Sequence, residues 1–480
     1  MTDTRSVLVL RAAGTQEQMG GRLGALTRRA GGFDALLDYY QEMPRKVLLS
    51  GTRLTAVDRG VFAALTPLFG MWLRRLERRR PHGYRRRTEA FFEALGRSPS
   101  DSRYLGVMEL FQNFVGLAAR WGLVPFARRA AASLPPACSS LVVWDGASAD
   151  GKLLHARNFD FPGVGIWERG PVVVFCDPDE GHRYGYVSSR GADVPVTAFN
   201  EAGLTAAAHT RLHTAVDFTG ATVVDLVHAM VHRCATIEQA VDLARGWPSA
   251  SSWGIVVSSA AERRAVVIEV SAAGAHVVRP EGAWIASTNR YQHPAQQVDE
   301  VTLSAAWVEH CEGRLERLGQ LARAGEEGGG LDVAGMTAVL GDHGDHAREP
   351  GSERAGGPVL AQPNTVQSVV VSPEDRCVYV AVDDVPTGRG RYVRVDWSWE
   401  GVSSEHVGDA AVSAPIDTRK RPSAGSIPSA RRSLVRFSTT TVWPFAMSSA
   451  DKVPTRSSRF LVTEMTTCMT STLPSSLGRP

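Results

Sequence analysis

The sequence has few of the features that mark disulfide-stabilised, membrane-spanning or nucleic-acid-binding proteins. Its 480 residues include only six cysteines, which are far apart and form no CxxC pair, so neither a disulfide framework nor a structural zinc site is expected. The formal net charge is only +3, so there is no global basic surface for nucleic acid. The longest apolar run, 61–73, is interrupted by Pro67 and is shorter than the roughly 20 residues that span a bilayer.

Targeting and nucleotide-binding signals are also missing. The apolar run 7–10 is shorter than the apolar region of a signal peptide, so a cytoplasmic, reducing location is expected. The segment GVGIWERG, which begins at Gly163, fails the GxGxxG spacing, and no Walker A sequence or GxSxG elbow occurs. The segment GDHGDH, 341–346, lacks the HExxH order of a metal site and is interpreted as a polar loop. Neither a cofactor nor a metal is therefore expected.

What is present is the composition of a globular protein, with 43% hydrophobic and 21% charged residues. Residues 1–137 are predicted to be a helical N-terminal region, because their apolar residues recur at three- and four-residue intervals. Residues 138–400 are rich in short β-runs with a few helices between them, which favours an α+β sandwich of layers over a doubly wound sheet. Residues 401–480 are rich in Ser, Thr, Arg and Pro and are predicted to be a disordered tail.

The central part gives the clearest secondary-structure signals. Two helices are predicted after Thr222 and Thr236, each of which stands three residues before a side chain that can complete a capping box. Gly246 and Pro248 are expected to end the second helix. The predicted strands are bounded by Gly, Pro, Asp or Ser, and they are SSLVVWD, PVVVFCD, RYGYVSS, GIVVSSA, RAVVIEV, AHVVRP, SVVVS and CVYVAVD.

The residue of greatest chemical interest is Cys138, which follows the segment ASLPPA and opens an apolar strand. Most buried cysteines are small hydrophobic residues of a core, and that interpretation stays open here. However, cleavage before Cys138 would create a new N-terminus at the start of a strand. The new α-amino group, with a pKa of roughly 7.7–8.0, could serve as the base for a thiol with a pKa of about 8.5. One residue would then supply both nucleophile and base.

The segment ACSSLVVWDGASADGKLLHARNFDF resembles the opening of the catalytic chain in autoproteolytic N-terminal nucleophile hydrolases. The group it resembles is typified by acyl-coenzyme A:isopenicillin N acyltransferase, with choloylglycine hydrolase and acid ceramidase as more distant relatives. The resemblance continues through FNEAGL at 199–204, STNRY at 287–291 and SVVVSPEDRCVYVAV at 368–382. It implies a four-layer αββα fold and a precursor that cleaves its own Ala137–Cys138 bond, after which residues 1–137 stay bound as the smaller chain.

The resemblance also assigns roles to individual residues. Arg157 matches an arginine that favours the thiolate, and Asp160 matches an aspartate that orients the α-ammonium group. Because positions three apart on a regular strand face opposite sides, a shared role requires a bend or bulge between them. The alternative is an ordinary surface ion pair. Asn289 matches an asparagine near the reacting carbonyl, where an amide could stabilise the oxyanion, although Asn is also common in turns.

Other positions leave alternatives open. Asn200 fits a turn between two strands as well as an oxyanion role. Bile-salt hydrolases have a further asparagine after that turn, where this sequence has AAHTR, so His209 or Thr210 would have to act as the second donor. Arg314 can correspond to a later arginine of the family or can belong to the solvated face of a helix.

The sequence therefore predicts a self-processing amidohydrolase or acyltransferase with Cys138 as nucleophile. It would act on a small-molecule acyl amide or acyl thioester, with water or an amine as the acceptor. No nucleic-acid partner and no transmembrane segment are expected, and the cleaved N-terminal chain would be its partner. Two alternatives stay open: a catalytically silent relative that binds acyl ligands or a partner protein, and an uncleaved hydrolase of lipids or esters.

Overall fold

The computed structural model describes residues 6–49, 56–123, 137–343, 359–408 and 411–413. All of these lie within 1–428, one of the two units into which the chain divides. Within the described residues the strands form one nine-stranded and one seven-stranded sheet. The nine-stranded sheet consists of β1 (Val7–Gly14), β4 (Pro171–Pro178), β5 (Tyr184–Ser189), β6 (Thr197–Asn200), β7 (Leu204–Thr210), β8 (Trp253–Ser259), β9 (Arg264–Ser271), β10 (Gly274–Val278) and β15 (Ser403–Val407).

The seven-stranded sheet has the order β11-β2-β3-β12-β13-β14-β16. Its strands are β2 (Ser139–Asp145), β3 (Gly151–Asp160), β11 (Trp284–Ser287), β12 (Thr365–Ser372), β13 (Cys377–Ala381), β14 (Arg391–Asp396) and β16 (Ala411–Ser413). The helices are α1 (Gln16–Ala30), α2 (Phe33–Leu49), α3 (Ala56–Arg79), α4 (His82–Leu95), α5 (Val107–Arg120), α6 (Val223–Arg233), α7 (Ile237–Arg245), α8 (Pro294–Gln297), α9 (Ala305–Glu327) and α10 (Val333–Leu340), with 3-10 turns at Pro99–Gly106 and Thr387–Arg389.

The two sheets pack face to face, and helices cover both outer faces. Between the sheets, Val173 and Phe175 of β4 belong to the same apolar cluster as Val369 and Val371 of β12. Side chains of α1, α4, α6 and α7 cover the outer face of the nine-stranded sheet, and those of α9 and α10 cover the outer face of the other. This is a four-layer αββα sandwich, so the predicted fold class is confirmed.

Burial on both faces explains why the strands are apolar at successive residues. In β1, Leu8 and Leu10 pack in the cluster with the helices, whereas Val7 and Val9 pack in the cluster between the sheets. Successive side chains of a strand point to opposite faces, so a strand between two apolar layers needs no alternation with polar residues. The predicted strands from SSLVVWD to CVYVAVD are all present in the sheets.

The N-terminal region differs from the helical prediction at its first element. β1 lies between β4, to which it is parallel, and β15, to which it is antiparallel. Its short apolar run carries no helical period, and its partners are distant in sequence, so the strand is recognisable only from pairing. Residues on both sides of the Ala137–Cys138 bond therefore contribute to one sheet, and residue 137 does not mark a boundary of the fold.

The disordered tail predicted for residues 401–480 includes residues that are strands in the structure. Residues 403–407 form β15, which pairs with β1, and residues 411–413 form β16, which pairs with β14. The composition of β15, SSEHV, is that of an exposed edge strand, which is hard to distinguish from a polar tail. Residues 414–480 lie outside the described residues.

The predicted helices of the central part are confirmed. Thr222 and Thr236 are the N-caps of α6 and α7, and each side chain accepts a hydrogen bond from the backbone three residues on. Gly246 is the C-cap of α7. No helix among the described residues has the length and apolarity needed to cross a bilayer.

Candidate active site

Strand pairing brings the predicted site residues to one end of the seven-stranded sheet. Cys138 immediately precedes β2, which lies between β11 and β3. Within β2, Ser140 pairs with Ser287 of β11 on one side and with Arg157 of β3 on the other. Asn289 follows β11, so it continues the neighbouring strand at the end where Cys138 lies. The constellation is therefore made by the register of three adjacent strands.

The side chains at this site are buried. The exposed fraction is 2% for Cys138, 1% for Arg157, 4% for Asp160 and 0% for both Asn289 and Arg314. An ordinary surface ion pair between Arg157 and Asp160 is therefore excluded. Such a concentration of buried polar and charged groups requires specific partners, because an unpaired buried charge costs several kcal/mol, about 3–5 kcal/mol when one partner of a pair is removed.

The Cys138 thiol lies against the end of β3. Its Sγ is 3.8 Å from the backbone oxygen of Asp160. Burial raises the pKa of the Cys138 thiol, and the positive charge of Arg157 opposes that rise. Burial therefore favours the protonated thiol, and Arg157 is the positive charge that most favours its ionisation, with a smaller contribution from Arg314.

Arg157 is fixed by contacts across the two sheets. Its Nη2 donates to the backbone oxygen of Ala208 at 2.6 Å, and its Nη1 donates to the hydroxyl of Thr197. The guanidinium also lies 4.8 Å from the centre of the Phe159 ring, within the range of a cation–π contact. These contacts engage the guanidinium without neutralising it by a carboxylate hydrogen bond, so its charge is directed to the surroundings of the thiol.

Asp160 has one engaged and one open carboxylate oxygen. Its Oδ1 accepts a hydrogen bond from Thr365 at 2.5 Å, whereas Oδ2 is buried with no hydrogen-bond partner among the described residues. Burial raises the pKa of Asp160 to about 7. A carboxyl group with that pKa can both take up and release a proton near neutral pH.

An irregularity in the sheet lies where the sequence requires one. The pairing of β12 with β3 shifts between Thr365 and Gln367, which are opposite Asp160 and Phe159. The additional residue is on β12, the partner strand, and the shift falls between Arg157 and Asp160 along β3. Arg157 and Asp160 are three residues apart and would face opposite sides of a regular strand. The shift in pairing is the irregularity that a shared role of these two residues beside Cys138 requires.

Arg314 is the residue at this site that the sequence left undecided. It projects from α9, where its Nη1 donates to the backbone oxygen of Ala137 and, at 2.8 Å, to that of Cys138. Its Nη2 donates to Oδ1 of Asn289 at 3.1 Å. Because the side chain is fully buried, the solvated-face interpretation is wrong.

A sequence signal for Arg314 does exist in α9. The buried residues of this helix recur at intervals of three and four, at Trp307, Cys311, Arg314, Leu318 and Ala322. An arginine within such a stripe has to face the core rather than the solvent. Because Arg314 is charged, a search for apolar residues at helical spacing does not include it in the buried stripe.

Asn289 is held by its neighbours on both sides. Its Nδ2 donates to the backbone oxygen of Thr210 at 3.1 Å, and its Oδ1 accepts from Arg314. In the uncleaved chain the donor to the Ala137 carbonyl is therefore Arg314, and Asn289 orients that guanidinium. The Nδ2 amide carries a second hydrogen besides the one that it donates to Thr210.

The remaining candidates take different positions. Asn200 is in the turn between β6 and β7, where Oδ1 accepts from Leu204 N at 3.0 Å and Nδ2 donates to the backbone oxygens of Val231 and Cys234. The ring of His209 contacts the Ser140 hydroxyl at 2.8 Å, with its pKa well below the usual value because of burial. Thr210 contributes its carbonyl to Asn289.

No arrangement for a metal ion was found in this part of the chain. Among the described residues, no group of three or more His, Cys, Asp or Glu side chains could hold a metal. The GDHGDH segment lies partly outside the described residues, since only 341–343 are covered.

The comparisons with known proteins agree with the resemblance. Residues 148–385 match the family model described as acyl-coenzyme A:6-aminopenicillanic acid acyl-transferase. This segment contains Arg157, Asp160, Asn289 and Arg314 but begins after Cys138. The comparison with curated proteins finds no match.

Two solved structures are similar to part of this chain. The Caenorhabditis elegans N-acylethanolamine-hydrolyzing acid amidase ortholog is 18% identical, with a TM-score of 0.33 and 49% of this chain and 93% of that chain covered. A mutant conjugated bile acid hydrolase of Clostridium perfringens is 10% identical, with a TM-score of 0.38 and 56% and 96% covered. Over residues 148–385, just under half of its length, the chain is therefore similar to the acyl-coenzyme A:6-aminopenicillanic acid acyl-transferase family, in agreement with the resemblance of its motifs.

Proposed function

We propose that the protein is a precursor that cleaves its own Ala137–Cys138 bond and then acts as a cysteine-nucleophile amidohydrolase or acyltransferase. The observation that carries this proposal is the position of Arg314. One guanidinium donates to the carbonyl oxygen of Ala137, the residue before the nucleophile, and to the carbonyl oxygen of Cys138 itself. A buried cation at the oxygen of the peptide bond to be cleaved is what charge development in a tetrahedral intermediate requires.

The cleavage reaction follows from the neighbouring groups. The Cys138 sulfur attacks the Ala137 carbonyl carbon and forms a C–S bond, while the negative charge develops on the oxygen beside Arg314. Asp160 takes the thiol proton and returns it to the departing nitrogen as the C–N bond breaks. Water then hydrolyses the thioester, which leaves the Ala137 carboxylate, the free Cys138 thiol and a new α-amino group.

In the cleaved protein the new α-amino group replaces the peptide nitrogen as the base. With an ordinary pKa of roughly 7.7–8.0, it can take the thiol proton and deliver it to the leaving group of a substrate. Asp160 would orient this amine, and Arg314 and Asn289 would surround the substrate oxyanion. The acyl group then passes from Cys138 to water or to an amine.

The N-terminal chain would stay attached after cleavage. β1 forms backbone pairs with both β4 and β15, and Arg80 and Arg87 of the N-terminal region form buried ion pairs with Asp225 and Asp193 at 2.8 and 2.7 Å. Removing either partner of such a pair leaves a buried charge unpaired and costs about 3–5 kcal/mol. The cleaved protein is therefore expected to be a tight complex of two chains.

An apolar acyl group is supported by the residues after Asp160. The rings of Phe159 and Phe161 are stacked at 5.2 Å, Trp167 is edge-on to both, and Tyr39 of α2 is 6.0 Å from Phe161. Phe159 links this aromatic cluster to the site, because its ring lies 4.8 Å from the Arg157 guanidinium. The cluster includes residues from both sides of the cleavage site.

The second candidate is a binding protein that does not catalyse a reaction. It is favoured by the burial of the proposed nucleophile. Cys138 is only 2% exposed in this structure, so its thiol is not accessible to a substrate. The same burial is required of a precursor whose own segment occupies the site. A ligand-binding role alone gives no reason for the hydrogen bond from Arg314 to Ala137.

An acyl-enzyme experiment tests the proposed function. The purified protein is incubated with N-acyl amino acids, acyl-homoserine lactones and acyl-coenzyme A thioesters, quenched in acid and digested for mass spectrometry. We expect an acyl adduct on the peptide that begins with Cys138, and none in Cys138→Ala. As a matched control, Cys377→Ala changes a buried cysteine of β13 and should retain the adduct. Turnover that persists in Cys138→Ala would contradict the proposal.

A further inference from the structure

The end of β7 contacts the active-site side chains of the other sheet one after another. Ala208 accepts the hydrogen bond from Arg157, His209 contacts Ser140, and Thr210 accepts from Asn289. The next residue, Arg211, continues this series beyond the strand. The nine-stranded sheet thus contacts the site residues of the seven-stranded sheet in register, and Arg211 adds a charged side chain from the end of β7 to that interface.

Arg211 binds the segment that carries Asn289. Its Nη2 donates to the Ser287 hydroxyl at 2.9 Å, and its Nη1 donates to the backbone oxygen of Thr288. The side chain is 0% exposed. The guanidinium therefore fixes the peptide directly before Asn289, and two donors in one plane set its orientation.

The Arg211 guanidinium lies against Gly254 of β8, a position that has no side chain. A Cβ atom added to Gly254 would lie 2.6 Å from Nη2 of Arg211, which real contacts do not allow. Gly254 is near the end of the pairing between β7 and β8, where it is opposite His209. A glycine in a strand weakens the strand, so its presence here is explained by the close approach of Arg211.

The counter-ion of Arg211 holds the far end of the same loop. Glu269 lies 3.9 Å from the guanidinium and accepts hydrogen bonds from the backbone nitrogens of Gln292 and His293 at 2.7 and 3.0 Å. The buried pair of Arg211 and Glu269 therefore holds both ends of the loop by hydrogen bonds: Arg211 binds residues 287–288, and Glu269 binds residues 292–293. Asn289 lies between these two attachments.

We propose that Arg211 is a positioning residue that sets the place of Asn289 and, through it, of Arg314 at the Ala137 carbonyl. The inference rests on the proposed function for its catalytic consequence. Arg211 itself makes no hydrogen bond to Cys138 or Ala137. Its effect passes through Thr288 and Asn289, since Asn289 Oδ1 is the acceptor for Arg314 Nη2.

The test compares two identical substitutions on the same loop. Arg211→Lys keeps the charge opposite Glu269 but cannot donate to Thr288 and Ser287 in the same fixed geometry. Arg290→Lys is the matched control, because Arg290 is next to Asn289 but pairs with Glu300 at 2.7 Å and with Glu312. Arg211→Met removes both donors and is included where it folds. The rate of self-cleavage is followed by denaturing mass spectrometry between pH 5 and 9.

A displaced reacting group costs roughly 10²-fold per ångström. We expect cleavage to slow about 10-fold in Arg211→Lys and about 100-fold in Arg211→Met, and to stay within about threefold in Arg290→Lys. The plateau rate should fall while the pH midpoint is unchanged, because Arg211 acts on geometry rather than on the ionisation of Cys138. Equal rates in Arg211→Lys and Arg290→Lys, or a loss that a midpoint shift explains, would overturn the proposal.

A crystal structure of Arg211→Lys decides the inference even where the wild type does not cleave. In that case the proposed function fails, and the positioning claim is tested by the contact between Asn289 Nδ2 and the Thr210 oxygen, 3.1 Å in this structure. Loss of this contact in Arg211→Lys, with retention in Arg290→Lys, is the expected result. An unchanged contact in both variants refutes the positioning role.

Discussion

Replacing Arg314 by methionine should slow self-cleavage more than any other change outside Cys138. The substitution keeps an apolar stem in the buried stripe of α9 and removes the donors to Ala137, Cys138 and Asn289. Loss of one oxyanion donor typically costs about 10²–10³ in rate, or about 2.7–4 kcal/mol. Because the substitution also removes the hydrogen bond between Arg314 and Asn289, we expect the upper end of that range, about 10³-fold.

The assay follows freshly synthesised precursor over time by denaturing mass spectrometry. Arg317→Met is the matched control, because Arg317 is three residues further along α9 and its pair with Asp342, at 2.7 Å, is on the partly exposed side. We expect cleavage in Arg317→Met within about threefold of wild type, as is usual for a partly exposed pair worth about 1 kcal/mol or less. Wild-type rates in Arg314→Met would refute the assignment of the guanidinium as the oxyanion donor.

Three further predictions concern ionisation and structure. Burial raises the pKa of Asp160 to about 7, so cleavage should accelerate as pH rises through 7, and Asp160→Asn should abolish that step; a pH-independent wild type would contradict the base role. Burial also raises the pKa of Glu109 from 4.5 to about 7, so its folded form favours the proton and stability should fall by about 3 kcal/mol as pH rises from 4.5 through 7. Urea denaturation should show this loss in wild type and a flatter profile in Glu109→Gln, and equal slopes would contradict it. Asn200→Ala removes three buried hydrogen bonds and should lower stability by about 3 kcal/mol in thermal melts, whereas the exposed Gln320→Ala should change it by less than about 0.5 kcal/mol.

The strands and capped helices of the central part could be predicted because their signals are local. Thr236 and Gln239, for example, form a reciprocal capping box, and both members are visible in a four-residue window. The strand β1 could not be predicted in the same way. Its place between β4 and β15 depends on partners that are more than 150 residues away, and its short apolar run carries no period of its own.

The site was predictable only as far as single residues carry a family resemblance. Local motifs point to Cys138, Arg157, Asp160 and Asn289, and the structure brings all four to one end of β2. The motifs do not identify Arg211 and leave Arg314 undecided, because both residues donate to backbone oxygens of distant segments. A backbone carbonyl has no sequence signature, so contacts to Thr288 or Ala137 become visible only in three dimensions.

The measurement that tests the central claim most directly is the intact mass, under denaturing conditions, of freshly purified wild-type protein beside Cys138→Ala. We predict two chains from the wild type, with masses of residues 1–137 and of the remainder beginning at Cys138, and one uncut chain from the variant. A wild type that stays whole, or a Cys138→Ala protein that is cut at the same bond, would contradict the account.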